Sequence, residues 1–380
     1  MPETRALRIE VFKSAPIWIC HSMGVSGVLQ ASDFVCSGED CIMDTLGAQG
    51  KMRIGVDMYV LLHWAFSRHP EVHESLTKEP KSFHKSVMED ILSYLLTFYK
   101  CGFYLYLVYD GRTTPFKVAE KDRKERREKA KEDHKWAMAY EVEPVQASYI
   151  WKMVAKYPEI KQVVAPFEAD PQLAYMYYNG VIDVVLTCDS DLIFYGVDTI
   201  IFRTANGAKL FERIAIPEDD KAKVNHLPLL RLLVLPFLIG NDYSKGVRGY
   251  GIVKSLKIAN TVTIPEDEKG AVDWHRYFLN IYEMLDPKIV ERYSLASFSR
   301  EGYKKYVLQQ FALILSAYTK YPVFDVNWVN DSVSLKSLKE VLPPVDVDGL
   351  DFAPLLSELD NKKWSDIAHC IIEPNTLTKY

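Results

Sequence analysis

Short apolar segments alternate with helical segments through residues 53–203, and this alternation is the strongest constraint on the fold. Strands are predicted at 53–57, 103–110, 161–165, 182–187 and 199–203. The intervening segments are long enough for helical crossovers, which are predicted at 59–66, 82–100, 144–157 and 171–179. Strands joined in this way form a mostly parallel sheet with helices on both faces. We therefore predict an α/β fold with a mostly parallel central sheet.

Acidic residues follow the carboxyl ends of these predicted strands. They are Asp57, Asp110, Glu168, Asp170, Asp189 and Asp191, and a seventh acid, Asp242, follows a later apolar run in the sequence GNDY. The carboxyl ends of parallel strands lie along one edge of a sheet, where ligands bind. One acid at a strand end is commonly the N-cap of the next helix. Six on successive strand ends are harder to explain in that way.

Carboxylates gathered at one edge repel one another and raise their own pKa values. Divalent metal relieves this repulsion, and hard oxygen ligands suit Mg²⁺ or Mn²⁺. No cluster of cysteine and histidine suggests zinc instead. The acids predict a two-metal phosphodiester hydrolase, in which one ion activates water and the other stabilises the leaving oxygen.

Composition and charge exclude several other classes of protein. The most hydrophobic stretch, Leu227–Gly240, contains Arg231 and Pro236, and no uncharged apolar run reaches the ~18–20 residues of a membrane span. The N-terminus lacks the continuous apolar core of a secretory signal. The six cysteines lack framework spacing and indicate reduced thiols of an intracellular protein. A net charge of −5 argues against nonspecific coating of nucleic acid, but not against a nucleic-acid enzyme.

Residues 117–135 form a charged segment with nine Lys or Arg and six Asp or Glu. It has no Gly or Pro and is rich in strong helix formers, so we predict one helix from Lys117 to about Ala139. A solvated helix stabilised by pairs such as Glu120–Lys124 is the simplest interpretation. A basic helix that lies over the acidic site is the alternative.

Five sequence blocks resemble, in order and spacing, the XPG-type structure-specific 5′ nucleases of the flap endonuclease and exonuclease 1 group. The blocks are IGVDMYVLLH, LVYDGRTTPFK, APFEADPQLAY, LTCDSDLIFYG and LIGNDYSKGVRGYG. The resemblance covers about residues 23 to 260 and is closest to the exonuclease 1 branch. It implies a PIN-like nuclease core and makes all seven acids metal-site residues for two Mg²⁺ ions, for which Mn²⁺ can substitute.

The resemblance also implies roles for basic and aromatic residues. Lys117 matches a lysine that contacts the scissile phosphate, and the matching arginine position falls on Arg123 or Lys124, depending on the alignment. Tyr59 and His63 match positions that stack on or contact DNA beside the active site. The alternative for His63 is a partly buried helix histidine.

Residues 242–257 resemble the helix–hairpin–helix of the same family. In that family the element holds duplex DNA behind the cut site and binds a monovalent cation, K⁺, through backbone carbonyls. Glycines allow close approach of a phosphate, and basic residues flank them. The implied DNA contacts are Arg248, Gly249, Gly251, Lys254 and Lys257.

The resemblance also suggests how the chain is divided. We expect an N-terminal extension at 1–22, a nuclease core at 23–240 with a shortened arch at 112–143, a helix–hairpin–helix at 241–262, and a helical C-terminal region with an acidic tail at 263–380. Only 58 positions separate Asp110 from Glu168, fewer than in relatives, so the second arch helix is predicted to be missing. Pro171 makes Asp170 a natural N-cap.

These features predict a metal-dependent 5′ exonuclease or flap endonuclease that acts on DNA in replication or repair. We expect a nuclear monomer whose partner is DNA with a 5′ end, flap or junction, without a membrane segment or a recognisable sliding-clamp motif. One alternative is a junction-cleaving enzyme of the same family. The other is a non-catalytic member that serves as an RNA-regulatory or interaction scaffold.

Overall fold

A seven-stranded mixed sheet forms the centre of the computed structural model. The structure describes residues 25–50, 52–112, 114, 116–117, 119–204, 207–213, 223–297, 299–329 and 332–338. The predicted extension at 1–22 lies outside the described residues, and so do residues 339–380 of the C-terminal region with its predicted acidic tail. None of the helices in these ranges is long and apolar enough to cross a membrane.

The strands and helices are numbered in chain order. The strands are β1 Cys36–Ser37, β2 Arg53–Asp57, β3 Tyr104–Tyr109, β4 Lys161–Val164, β5 Val184–Thr187, β6 Thr199–Thr204, β7 Gly207–Glu212, β8 Pro322–Asn327 and β9 Ser332–Ser337. The α-helices are α1 Glu39–Gly47, α2 Met58–Ser67, α3 His73–Lys78, α4 Lys85–Lys100, α5 Ala119–Glu132, α6 Trp136–Ala139, α7 Pro144–Val154, α8 Ala169–Tyr178, α9 Asp191–Phe194, α10 Leu229–Leu232, α11 Val234–Ile239, α12 Ile252–Thr261, α13 Trp274–Glu283, α14 Pro287–Ser297 and α15 Arg300–Thr319. Short 3₁₀ turns occur at Leu29–Ala31, Pro70–Val72 and Val224–His226.

The sheet has the strand order β1-β7-β6-β5-β2-β3-β4. The five strands from β6 to β4 are parallel, whereas β7 and β1 add antiparallel pairs at one edge. The predicted α/β fold with a mostly parallel sheet is therefore confirmed. The two antiparallel edge strands were not predicted, because GAKLFE and the two-residue β1 carry no distinct strand pattern.

Side chains from successive strand positions enter two hydrophobic cores, one on each face of the sheet. On β5, Val184 and Leu186 enter one core while Val185 enters the other, as the two-residue period of a strand requires. On β6, Ile201 and Ile200 divide in the same way. The strands consequently read as continuous apolar runs, which is the pattern of a parallel sheet covered on both faces.

The C-terminal region packs into one of these two cores. Phe311 and Tyr318 of α15 belong to the same core as Val185. The hairpin of β8 and β9 is tied to α8 because the Gln172 side chain donates to the Phe324 carbonyl at 2.8 Å and accepts from its amide at 2.7 Å. This region was predicted to be helical, and the β8–β9 hairpin corrects that prediction.

The charged segment differs from the single helix that was predicted. Helix α5 ends at Glu132, the backbone turns through His134 with φ of 58°, and the one-turn helix α6 follows. The turn lets Trp136 lie beside the Lys78 ammonium, 5.3 Å from the ring centroid, and lets Tyr140 stack on His73 at 4.5 Å. We call residues 119–139, which comprise α5 and α6, the lid.

Candidate metal and phosphate site

Four neighbouring strands bring the predicted acids to one edge of the sheet. Strands β5, β2, β3 and β4 lie side by side in that order, and each is parallel to the next. Their carboxyl ends therefore face the same edge. Asp57 is the last residue of β2, and Asp110 follows β3 directly. Glu168 and Asp170 follow β4, while Asp189 and Asp191 follow β5.

Asp57 and Asp110 also complete the backbone around them. Asp57 caps α2 by accepting from the Val60 amide at 3.1 Å, and the Thr187 hydroxyl donates to its other oxygen at 3.3 Å. The Asp110 carboxylate accepts from the Ala169 amide at 2.7 Å, in the first turn of α8. These hydrogen bonds fix the orientation of both carboxylates. They also link the end of β2 to the end of β5, and the end of β3 to the segment after β4.

Gly111 allows the ends of β3 and β4 to approach closely. Its amide donates to the Phe167 carbonyl at 2.6 Å. A Cβ atom at this position would lie 2.0 Å from the Ala165 carbonyl oxygen, which is much closer than atoms can approach. A glycine is therefore required directly after Asp110.

Asp170 is not the helix N-cap that the sequence suggested. Helix α8 begins at Ala169, so Asp170 lies in its first turn, and Glu168 is at the N-cap position without a side-chain capping bond. Asp110, from a different strand, supplies the carboxylate that accepts from the first amide of this helix. Asp170 therefore does not act as a helix cap, and capping does not compete with a role for its carboxylate in the site.

The electrostatics of the acids show that they share one site. Burial raises the pKa of Asp110 and of Asp189 to about 6. Burial also raises the pKa of Asp57 well above its ordinary value, and the charge on Asp110 adds to that rise. The pKa values of Asp170 and Asp191 are likewise raised well above the ordinary value by burial and then by Asp189. The chain has placed several carboxylates where each disfavours ionisation of its neighbours.

Two basic side chains form ion pairs with acids of the site. The Lys117 ammonium is 3.0 Å from Glu168 and 3.1 Å from Asp242, and the Arg123 guanidinium of the lid donates to Asp242 at 2.6 Å. Burial opposes the charge on Lys117, but Glu168, Asp242 and Asp110 outweigh it and hold its pKa well above the ordinary value. Burial also opposes the charge on Asp242, but Lys117 and Arg123 lower its pKa.

The same geometry distinguishes between the two residues proposed at the arginine position. Arg123 reaches the site through its contact with Asp242, whereas Lys124 is exposed on α5. The sequence left both open. The lid carries a further link at Arg127, which donates to Glu141 at 2.6 Å.

Tyr59 and His63 lie on α2, between the acids and the lid. Both are half-buried. Burial, and to a smaller extent the charge on Asp110, raises the pKa of Tyr59. Burial lowers the pKa of His63 to about 4, with smaller contributions from Arg127 and Arg123, so its imidazole is neutral at pH 7. Its ring lies 6.1 Å from Tyr140.

Three residues that support the acids were missed by sequence reasoning. The Tyr243 hydroxyl donates to Glu168 at 3.0 Å. Asn241 donates to the Tyr318 hydroxyl at 3.0 Å and accepts from the Tyr243 amide at 3.0 Å. Asn241 and Tyr243 could have been suspected from the sequence, because they lie on either side of the predicted site residue Asp242. Tyr318 gave none, because it lies on a helix far along the chain.

The donor set fits a divalent cation. Asp170 and Asp191 each have one buried carboxylate oxygen without a hydrogen-bond partner in the described residues. Buried carboxylate oxygens that lack donors, among like charges, are ligands that hard divalent ions prefer. No group of three or more Asp, Glu, His or Cys side chains in the described ranges is already arranged around an ion position.

The segment 241–262, predicted as a helix–hairpin–helix, contains a hairpin and α12, and α11 ends just before it at Ile239. Gly240 and Gly246 have φ of 94° and 67°, and a Cβ atom on Gly246 would lie 2.4 Å from the Gly240 nitrogen. At the other side of the hairpin Arg248, Gly249, Gly251, Lys254 and Lys257 are exposed. The structure thus presents all five predicted DNA-contacting residues of this element to solvent.

Part of the chain matches the model of a known protein family. Residues 159–242 match the family model described as the XPG I-region. The segment contains Glu168, Asp170, Asp189, Asp191 and Asp242. The resemblance to XPG-type nucleases that the sequence indicated is thereby confirmed.

Curated relatives have names that agree with this family. Exodeoxyribonuclease 1 of Schizosaccharomyces pombe is 31% identical over 226 residues, which cover 54% of this chain and 38% of the relative. Flap endonuclease 1 of Methanococcus aeolicus is 29% identical over 224 residues, which cover 53% of this chain and 67% of that relative. The chain thus spans well under half the length of the exodeoxyribonuclease.

Two solved structures are similar at low identity. The catalytic core of Rad2 in complex with DNA substrate has a TM-score of 0.47 and 18% identity, with 77% of this chain and 83% of that chain covered. Human GEN1 in complex with Holliday junction DNA has a TM-score of 0.41 and 16% identity, with 87% and 98% covered.

Proposed function

We propose that this chain is a divalent-metal-dependent 5′ nuclease that hydrolyses phosphodiester bonds of DNA. The observation that carries the proposal is the convergence of carboxylates from four adjacent strand ends beneath Lys117 and Arg123. Carboxylates can bind metal, while a lysine and an arginine can bind phosphate oxygens. The names of the curated relatives support DNA as the substrate and a 5′ exonuclease or flap endonuclease as the type of enzyme.

The seven acids would hold two Mg²⁺ ions, with Mn²⁺ as a substitute. Bound there, the ions would supply an activated water and charge stabilisation for the leaving oxygen. The residues of the chain fix where this happens. Asp57 and Asp110 are oriented by Thr187 and by the Ala169 amide, and Glu168 is oriented by Tyr243.

Lys117 and Arg123 would bind the non-bridging oxygens of the scissile phosphate. Both already contact carboxylates of the site, so each would reach a phosphate bound there by exchanging one anionic partner for another. Positive groups held in place before the reaction stabilise the charge that develops in the transition state. Tyr59 and His63 would contact the nucleotide beside the cut, because they lie between the acids and the lid.

We further propose that the protein acts in the nucleus as a monomer, in replication or repair of DNA. The domain limits given above, at 240 and 262, are part of the same proposal. K⁺ would bind the backbone carbonyls of the hairpin, as the family resemblance implies.

Cleavage of defined DNA substrates tests the proposed activity. The full chain is incubated with Mg²⁺ and labelled blunt, nicked, 5′-flapped and four-way DNA, and the products are sized. We expect cleavage near the 5′ end or the flap base that requires the divalent ion. DNA binding without cleavage of any substrate would instead favour the scaffold alternative.

Lys254→Ala together with Lys257→Ala should weaken binding to nicked duplex DNA. Both lysines are exposed on α12, beside the hairpin, and each is proposed to contact a phosphate. The slope of log affinity against log salt should flatten by about one to two units, as expected for the loss of one or two phosphate contacts. Binding is measured in Ca²⁺ by fluorescence anisotropy. An unaltered slope would show that the hairpin does not hold DNA.

A junction-cleaving activity is the second candidate, and the shape of the lid favours it. Helix α5 has 14 residues, about 21 Å at 1.5 Å per residue, and the described lid adds only the four-residue α6. The prediction that a second long arch helix is missing therefore agrees with the described part of residues 112–143. We propose that a lid of this kind leaves one side of the site open.

Blocking the 5′ end should accordingly slow cleavage only modestly. The test compares a 5′-flap substrate with and without streptavidin bound to a terminal biotin. We expect the two rates to lie within about tenfold, and we expect measurable cutting of four-way DNA. Complete inhibition by streptavidin, with no cutting of the junction, would show that the DNA must pass beneath a closed arch.

A further inference from the structure

A basic cleft lies where the hairpin meets helix α14. The cleft has a volume of about 260 Å³ and is lined by Gly249, Lys254, Lys288, Ile289 and Arg292. Gly249 and Lys254 belong to the helix–hairpin–helix, whereas the other three residues come from α14. Three of the five lining side chains are cationic.

The hairpin and α14 are held together by direct contacts. The Tyr250 hydroxyl accepts from the Asp286 amide at 2.7 Å, just before α14 begins. A Cβ atom on Gly249 would lie 3.3 Å from Ile289, so the bare hairpin backbone packs on this helix. Lys254 is directed into the same place, because its ammonium donates to the Gly249 carbonyl at 3.3 Å and lies 5.6 Å from the Tyr250 ring centroid. The cleft is therefore formed by direct packing of the hairpin against α14.

The two cations from α14 are available to bind a ligand. Lys288 and Arg292 are exposed and lie one helical turn apart, so their side chains emerge from the same face. Neither forms an ion pair within the described part of the chain. Asp286, the nearest acid before α14, accepts from the Lys288 amide and is oriented toward the helix backbone.

We propose that Lys288 and Arg292 extend the hairpin into a second phosphate-binding surface for the backbone of duplex DNA. This inference rests on the proposed function and adds to it a DNA contact in a helix beyond the helix–hairpin–helix. Positions i and i+4 of a helix lie ~6 Å apart, comparable with the axial rise of two nucleotides of one strand. The two cations can therefore meet two phosphates of the same strand, while Lys254 joins them to the hairpin contact.

The test is the salt dependence of DNA binding by the full chain carrying Lys288→Ala and Arg292→Ala. Binding to nicked duplex DNA is measured in Ca²⁺ between 50 and 200 mM NaCl, conditions over which lost phosphate contacts are readily seen. We expect the log–log slope to flatten by about one to two units. Exchanging the two charges, as Lys288→Arg and Arg292→Lys, should restore the slope.

The matched control is Lys100→Ala with Lys156→Ala, which removes two exposed cations at the opposite edge of the sheet. This variant should keep the wild-type slope. A second arm replaces NaCl with sodium phosphate at equal ionic strength. Loss of the difference between wild type and the α14 variant in phosphate would reveal a free-anion site and overturn the assignment to duplex DNA.

The outcomes separate this inference from the function on which it rests. If wild type cleaves DNA and the α14 variant keeps its slope, the surface on α14 is wrong and the nuclease proposal stands. If wild type neither binds nor cleaves DNA, both proposals fail. If charge exchange does not restore the slope, the effect of the alanine variant is structural and the inference is again overturned.

Discussion

Asp110→Asn and Asp189→Asn should each lower the rate of DNA cleavage by about two to three orders of magnitude, the loss typical of removing one charge-stabilising group from an active site. Each change keeps the shape of the side chain but removes a negative charge that is proposed to bind metal. The rate is measured under single-turnover conditions on a nicked duplex with Mg²⁺. Wild-type rates in either variant would overturn the assignment of these acids.

Binding separates a loss of chemistry from a loss of folding in these variants. In Ca²⁺, both should bind DNA at least as tightly as wild type, because a negative charge facing the phosphates has been removed. Asp44→Asn is the matched control, since Asp44 is an exposed acid on α1. It should change neither binding nor cleavage.

Thermal unfolding gives a measure of metal binding that does not depend on activity. The raised pKa values of Asp57, Asp170 and Asp191 reflect carboxylates that are buried close together. A divalent ion that binds only the folded state raises its stability. Mg²⁺ or Mn²⁺ should therefore raise the melting temperature of wild type by more than that of the Asp110→Asn and Asp189→Asn variants. Equal increases would place the ions elsewhere.

Lys117→Ala and Arg123→Ala should each lower cleavage by about 10²- to 10³-fold at saturating DNA, because each removes a positive group that is proposed to bind the scissile phosphate. Lys124→Ala is the control from the same helix. Lys124 is exposed, whereas Arg123 contacts Asp242 at 2.6 Å. Rates are compared by single-turnover kinetics.

The contrast between neighbouring residues makes this prediction specific. A loss in Lys124→Ala equal to that in Arg123→Ala would mean that the lid acts through its overall charge. A loss in Lys124→Ala alone would assign the phosphate contact to the residue that the structure places in solvent. Either result would contradict the role given to Arg123.

The strands and the gathering of acids could be predicted because each depends on local pattern and a general rule. The apolar run at 53–57 coincides with β2, and the run at 103–110 contains β3 with one extra residue at each end. The rule that parallel strands end at one edge then brings Asp57 and Asp110 together without knowledge of distances.

The lid was predicted less well because its end is decided by tertiary contacts. Lys135 and residues 137–139 are strong helix formers beyond Glu132, so propensity extends the helix despite the weaker Asp133 and His134. The turn at His134 instead allows Tyr140 to stack on His73 and Trp136 to meet Lys78. Propensity is a weak prior and such packing overrides it.

The supporting shell of the site could not be predicted from pattern. The Tyr243 hydroxyl reaches Glu168 across 75 positions, and Asn241 reaches Tyr318 across 77. Nothing in the spacing of these residues marks the pairs. The assignment of Asp170 as an N-cap was wrong for a related reason, because the carboxylate that meets the first amide of α8 comes from Asp110, 59 positions earlier.

The strand order has a consequence for how the molecule folds. Strand β2 pairs with β5, and the Asp57–Thr187 contact closes a loop of 130 positions, while Arg123 and Asp242 are 119 apart. Closing a long loop lowers the entropy of the chain before any stabilising contact has formed, so non-local pairings form slowly. The complete set of seven carboxylates can therefore meet only after the chain as far as Asp242 has been assembled. Recovery of activity during refolding should consequently follow, and never precede, the recovery of helical structure.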